Sequence, residues 1–116
     1  MDWQERLIAG KNFEKEIQQR LIDAKVVFKS QVYYKTTLGN YIADFVLENG
    51  VIIETTLGNL EKFAKHPFAV KKLAKLKILI DSGIKIVIVS PYASQWASSL
   101  SCEAIHPDNL EEYFKQ

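Results

Sequence analysis

Asp44 and Glu54 lie in the stretch Ile42 to Thr56, IADFVLENGVIIETT, where two apolar runs flank an Asn-Gly pair and each carries one acid. Two carboxylates on a largely apolar strand face repel each other and resist leaving water, so one would titrate high unless a cation joined them. A hard divalent ion removes that conflict. Mg²⁺ (or Mn²⁺) bound by one or two carboxylates, with waters and a substrate phosphate completing its shell, is the natural occupant.

Whether the two acids can cooperate depends on the turn. With Asn49-Gly50 as a two-residue type I′ turn, Asp44 opposes Thr55 and the acids face opposite ways. With Glu48-Asn49-Gly50 as a three-residue loop closed by a bulge at Gly50, Leu47 opposes Val51, Asp44 opposes Glu54 and Thr56 falls opposite Ile42. The Asn-Gly pair favours the shorter turn. Burial favours the longer one, which gathers Phe45, Leu47, Val51 and Ile53 on the face away from the acids.

The elements that must position these acids follow from periodicity. Gln4 to Ala24 has Phe13, Ile17, Leu21 and Ala24 at helical spacing, with a possible break at Gly10. At about 100° per residue, Glu14 sits at the rim of that stripe and Glu16 further into water. Val26 to Thr37 is β-rich and leads through Gly39-Asn40 into the hairpin. Asn59 to Lys65 reads as a turn or short helix. Pro67 then opens a helix in which Ala69, Leu73, Leu76 and Ile80 form the inner stripe, turning Lys71, Lys72 and Lys75 outward, and Ser82-Gly83 stops it. Ile84 to Ser90 reads as a strand covered on both faces. A helix from about Ser94, an extended piece near Ala104 and a last helix opened by Pro107-Asp108 complete the chain. The expected fold is a single α/β domain over residues 1–116, an α-β-β-β-α-β core with a mixed sheet and helices on both faces.

Composition narrows the function classes. No apolar run approaches the roughly 18 residues of a membrane span and no signal-peptide pattern opens the chain, so an intracellular, cytoplasmic protein without membrane association is expected. The lone Cys102 indicates neither a disulfide nor a zinc ribbon. The net charge is only +1, yet Leu60 to Lys85 holds seven lysines against two acids, a distribution suited to a phosphate backbone. His66 and His106 each precede a proline beside no second ligand, and SQWASSLS lacks a nucleophile elbow.

Ala43-Asp44-Phe45, the nine residues between Asp44 and Glu54, and Glu54-Thr55-Thr56 as a variant E-x-K resemble the PD-(D/E)XK nuclease superfamily, with its restriction endonuclease-like fold. GKNFEKEIQQRL, Gly10 to Leu21, is similar to the first helix of archaeal Holliday-junction resolvases, which would make Glu14 a metal ligand. The resemblance implies a Mg²⁺-dependent DNA endonuclease with Glu14, Asp44 and Glu54 around the ion and Lys71, Lys72 and Lys75 on DNA phosphates. A homodimer would serve to cut both strands. Thr56 stands at the family's lysine position and carries no charge. The missing cation must then come from a neighbouring element, with Lys62, Lys65, Lys71 and Lys35 as candidates, or catalysis is lost. A catalytically inactive nucleic-acid-binding or structural protein on the same fold is the alternative.

Overall fold

The computed structural model describes residues 2–63 and 65–115. Helix α1, Trp3–Asp23, runs unbroken through Gly10 and is capped by Asp2, whose side chain accepts from the Glu5 N–H. Three antiparallel strands follow: β1 Phe28–Thr36, β2 Gly39–Leu47 and β3 Ile52–Thr55. The short α2, Leu60–Phe63, and α3, Pro67–Asp81, lead to β4, Ile86–Val89, which pairs parallel to β3. Then come α4, Ala93–Leu100, a short parallel strand β5, Glu103–Ile105, a 3₁₀ turn, Pro107–Asn109, and α5, Leu110–Tyr113. The sheet order is β1-β2-β3-β4-β5, a mixed α/β architecture with β5 added to the expected core.

Each sheet face buries its own cluster. Phe13, Ile17 and Leu21 of α1 and Leu110 of α5 cover Phe45, Ile53, Val87 and Val89. Leu76 and Leu79 of α3 and Trp96 and Leu100 of α4 cover Tyr41, Ala43, Ile52, Ile86 and Ile88. β3 and β4 are buried throughout, as strands covered on both faces must be. Ala24, expected in the α1 stripe, is an exposed C-cap.

β2 does not alternate regularly. Ala43 and Val46 pack on the same face although an odd number of steps separates them, and Phe45 packs on the other. The strand is therefore wrung about Asp44. The register of β1 sets Gln31 opposite Asp44, and Gln31 has φ +54, a left-handed backbone unusual for a residue with a side chain.

The β2–β3 turn is the three-residue one. Leu47 N–H donates to the Val51 carbonyl at 2.9 Å, Gly50 N–H to the Leu47 carbonyl at 2.9 Å, and Gly50 has φ +87. Val46 opposes Ile52 and Phe45 opposes Ile53, the register of the longer loop, and the ladder stops one pair short of Asp44 and Glu54. The expected pairing of Thr56 with Ile42 therefore does not form.

Gly50 and Gly10 should respond oppositely to a methyl group. A Cβ meets nothing within 4 Å at either position. Gly50→Ala is nonetheless expected to destabilise by about 1–2 kcal/mol because of its left-handed backbone. Gly10→Ala, within α1, is expected to stabilise by up to about 1 kcal/mol. Urea denaturation midpoints check both; a neutral Gly50→Ala would mean that the turn has an easy alternative.

Candidate carboxylate–lysine site

The site forms where β2 and β3 part. Asp44 Oδ2 accepts from both the N–H and the hydroxyl of Thr55, each at 2.8 Å, so the side chain replaces a ladder partner and is fixed at two points. Glu54, next along β3, is buried, with its side chain only 2% accessible. A carboxylate so far from water requires partners. Lys72 Nζ of α3 lies 2.5 Å from Glu54 Oε1, and the Tyr41 hydroxyl of β2 donates to Oε2. Both oxygens of Glu54 are thus engaged.

Glu14 reaches the same place from α1. It is half-buried, within hydrogen-bonding reach of Asp44, and Gln31 Nε2 donates weakly to its Oε1 at 3.5 Å. Glu16 is exposed, as its place on the helical wheel requires.

Charge within the cluster is unevenly relieved. The bond with Asp44, then burial, then the charges of Asp44 and Glu54 push Glu14 up to about 8. Burial also raises Glu54 despite the opposing pull of Lys72. Burial presses down on the Lys72 ammonium, but Glu54, joined by Asp44 and Glu14, holds it above the usual lysine range. Burial, then Glu54, raises Tyr41 well above an ordinary phenol, so it stays a hydrogen-bond donor.

Lys72 is half-exposed, yet its ammonium turns in to Glu54, which corrects the reading of α3 as presenting it wholly outward. The buried residues of the helix are Ala69, Leu76 and Leu79, with half-exposed Lys72 on the same side. Leu73 and Ile80 are partly buried beside them. Lys71 is exposed, and Lys75 Nζ donates to the Asn40 carbonyl at 2.8 Å. Lys62 and Lys65 are exposed and Lys35 lies on exposed β1. The hydroxyl of Thr56 accepts from the Gly58 N–H at 3.1 Å, and its own N–H donates to the Val89 carbonyl. Thr56 is thereby part of the turn leaving β3. That turn is braced by α4, where the Trp96 indole donates to Gly58 and Gln95 accepts from the Leu60 N–H.

Sequence reasoning missed Tyr41, Gln31 and Thr55. Only Tyr41 left a signal, as an aromatic with a polar tip at a buried strand position. Among the described residues, no group of three or more His, Cys, Asp or Glu is arranged to hold a metal ion. The donors are nevertheless of the right kind for a hard cation: oxygens only, with Glu14 held protonated by crowding that a cation would relieve.

This crowding gives stability a defined pH dependence. With Glu14 near 8 in the fold against an ordinary 4.5, the folded chain holds the extra proton between those values. Stability in the presence of a chelator should fall as pH rises from about 4.5 to about 8, since the unfolded chain binds fewer protons there. Glu54, also raised, acts in the same direction. Glu14→Gln should flatten the fall and be more stable than wild type near pH 8, measured by urea denaturation; parallel profiles for the two proteins would refute the crowding. Among known proteins, no family model, curated protein or solved structure matches this chain.

Proposed function

We propose that the protein is a metal-dependent DNA endonuclease in which Lys72 of α3 supplies the cation that the E-x-K motif would place at Thr56. The observation that carries this reading is the Lys72 ammonium on the buried Glu54 carboxylate, with Glu14 and Asp44 beside it. Glu14 and Asp44, with Glu54 next to them, would hold Mg²⁺ or Mn²⁺. When bound, such an ion polarises a phosphate oxygen and makes water a nucleophile at neutral pH. Lys72 would supply positive charge to the phosphate as it gathers negative charge when the bond breaks. Thr55 fixes Asp44, and Tyr41 and Lys72 together orient Glu54. Lys71 and Lys75, on the same helix, would grip flanking phosphates. A symmetric homodimer would bring two such sites to a duplex.

A second reading has its own support. Both Glu54 oxygens are already engaged, as expected of a site that has settled into a structural ion pair, and a nucleic-acid-binding protein without catalysis would then result.

Cleavage assays with Mg²⁺ and Mn²⁺ on linear, branched, nicked and single-stranded DNA separate the two. The nuclease reading expects cutting by wild type and a loss of about a hundredfold or more in Lys72→Ala, with Mn²⁺ binding by calorimetry retained. Lys62→Ala and Lys65→Ala should cut like wild type. Removing Lys72 strips a buried carboxylate of its cation, so folding is checked by circular dichroism, and Thr56→Lys in that background should restore part of the rate. Metal binding without cutting favours the second reading; a wild type that neither binds Mn²⁺ nor cuts would sink the first.

A further inference from the structure

Beside the carboxylates an open groove of about 430 Å³ runs between β2, at Asn40 to Ile42, and α3, where Phe68, Lys71, Lys72 and Lys75 line it. This is within the size range of small-ligand sites, roughly 300–1,000 Å³. Tyr41 and Lys72, which hold the two oxygens of Glu54, form part of its wall. A molecule in the groove therefore lies next to the cluster. Three lysines and no carboxylate line it, so the ligand it suits is an anion. Lys75 is tethered to the Asn40 carbonyl, which holds that side of the row in place.

Phe68 adds a second, independent feature. It is 77% exposed, more than any other large apolar side chain among the described residues, and it stacks on His66 with ring centroids 5.5 Å apart and 25° between planes. Ile42 across the groove is also exposed. A flat apolar face kept in water beside a row of cations has the chemistry of a base-stacking platform on a phosphate track. Bases within a duplex are already stacked on one another and have no free face for it.

We infer that this groove binds a single-stranded segment of nucleic acid, with phosphates on Lys71 and Lys75 and one base stacked on Phe68, and leads that strand to Glu14, Asp44 and Glu54. The inference rests on the nuclease reading for what happens at the carboxylates, but binding in the groove is measurable without it. An acidic polypeptide would satisfy the lysines and leave the aromatic face unused.

Fluorescence anisotropy in EDTA, where no metal-dependent cutting occurs, tests it with labelled oligothymidylate, oligouridylate and a blunt duplex, and with polyglutamate as competitor. Single strands should bind more tightly than the duplex, and the two sugars distinguish DNA from RNA. Phe68→Ala should weaken single-strand binding by about fivefold or more, Phe68→Trp should retain it, and neither should alter duplex binding. Joint Lys71→Ala and Lys75→Ala substitution should reduce the salt slope by about 0.7 for each lysine. Equal affinity for single strand and duplex, an indifferent Phe68→Ala, or polyglutamate competing as well as an oligonucleotide would each overturn the inference. Single-strand binding without cleavage in Mg²⁺ or Mn²⁺ would leave the groove standing and remove the nuclease reading. Duplex cutting with no dependence of single-strand binding on Phe68 would do the reverse.

Discussion

A carboxylate sealed between two layers of a small α/β domain must be neutralised or paired, because an ion taken out of water loses several kcal/mol even after the protein relaxes. Glu54 is that carboxylate, and much of the surrounding structure answers to it. Lys72 reaches it from α3, which fixes the rotation of that helix over the sheet. Tyr41 reaches it from β2, with its hydroxyl kept protonated by the charge it faces. The pair joins helix and sheet by a directed interaction, while Leu76 and Leu79 supply undirected apolar burial on the same helix face. An ion pair of this kind is weak evidence for stability and stronger evidence for a fixed geometry.

The second constraint is the twist in β2. A regular strand would send alternate residues to alternate faces, and Asp44 would take its place in the series. Because β2 is wrung at Asp44, Ala43 and Val46 serve one core and Phe45 the other, while the Asp44 carboxylate closes on Thr55 of the neighbouring strand. The acids therefore gather at the seam between the two apolar clusters, where α1 can add Glu14 from its rim. Two cores with acids at their junction leave polar groups that apolar packing alone would not tolerate.

Most of the architecture was legible in local pattern. The α1 stripe, the Pro67 helix start and the β-branched β4 run each carry their own periodicity or start signal, whereas the last quarter, where α4 has no side-chain cap and Pro107 opens a 3₁₀ turn before α5, is less legible. The hairpin register was legible only through burial, since Asn49-Gly50 alone points to the shorter turn. Lys72 was misread for a specific reason: apolar residues at 69, 73, 76 and 80 satisfy a helical stripe, and a half-exposed lysine that turns its ammonium inward is invisible until its partner is known. Once Glu54 is known to be buried, Lys72, half-exposed on the side of Ala69, Leu76 and Leu79, is the cation that reaches it. Gln31 and the break in β2 were beyond reach, because a left-handed residue other than glycine leaves no mark in composition.

Gln31 has a consequence for how copies of the protein meet. β1 is a nine-residue strand at the edge of the sheet, long enough for a second chain to zip onto it. With its backbone thrown out of the β region near the middle, the row of outward N–H and C=O groups loses its regular spacing, and exposed Lys29 and Lys35 flank the interruption. The residue whose side chain reaches weakly to Glu14 thereby also interrupts the edge. One left-handed residue thus interrupts the exposed edge of the sheet and stands opposite the acid of the neighbouring strand.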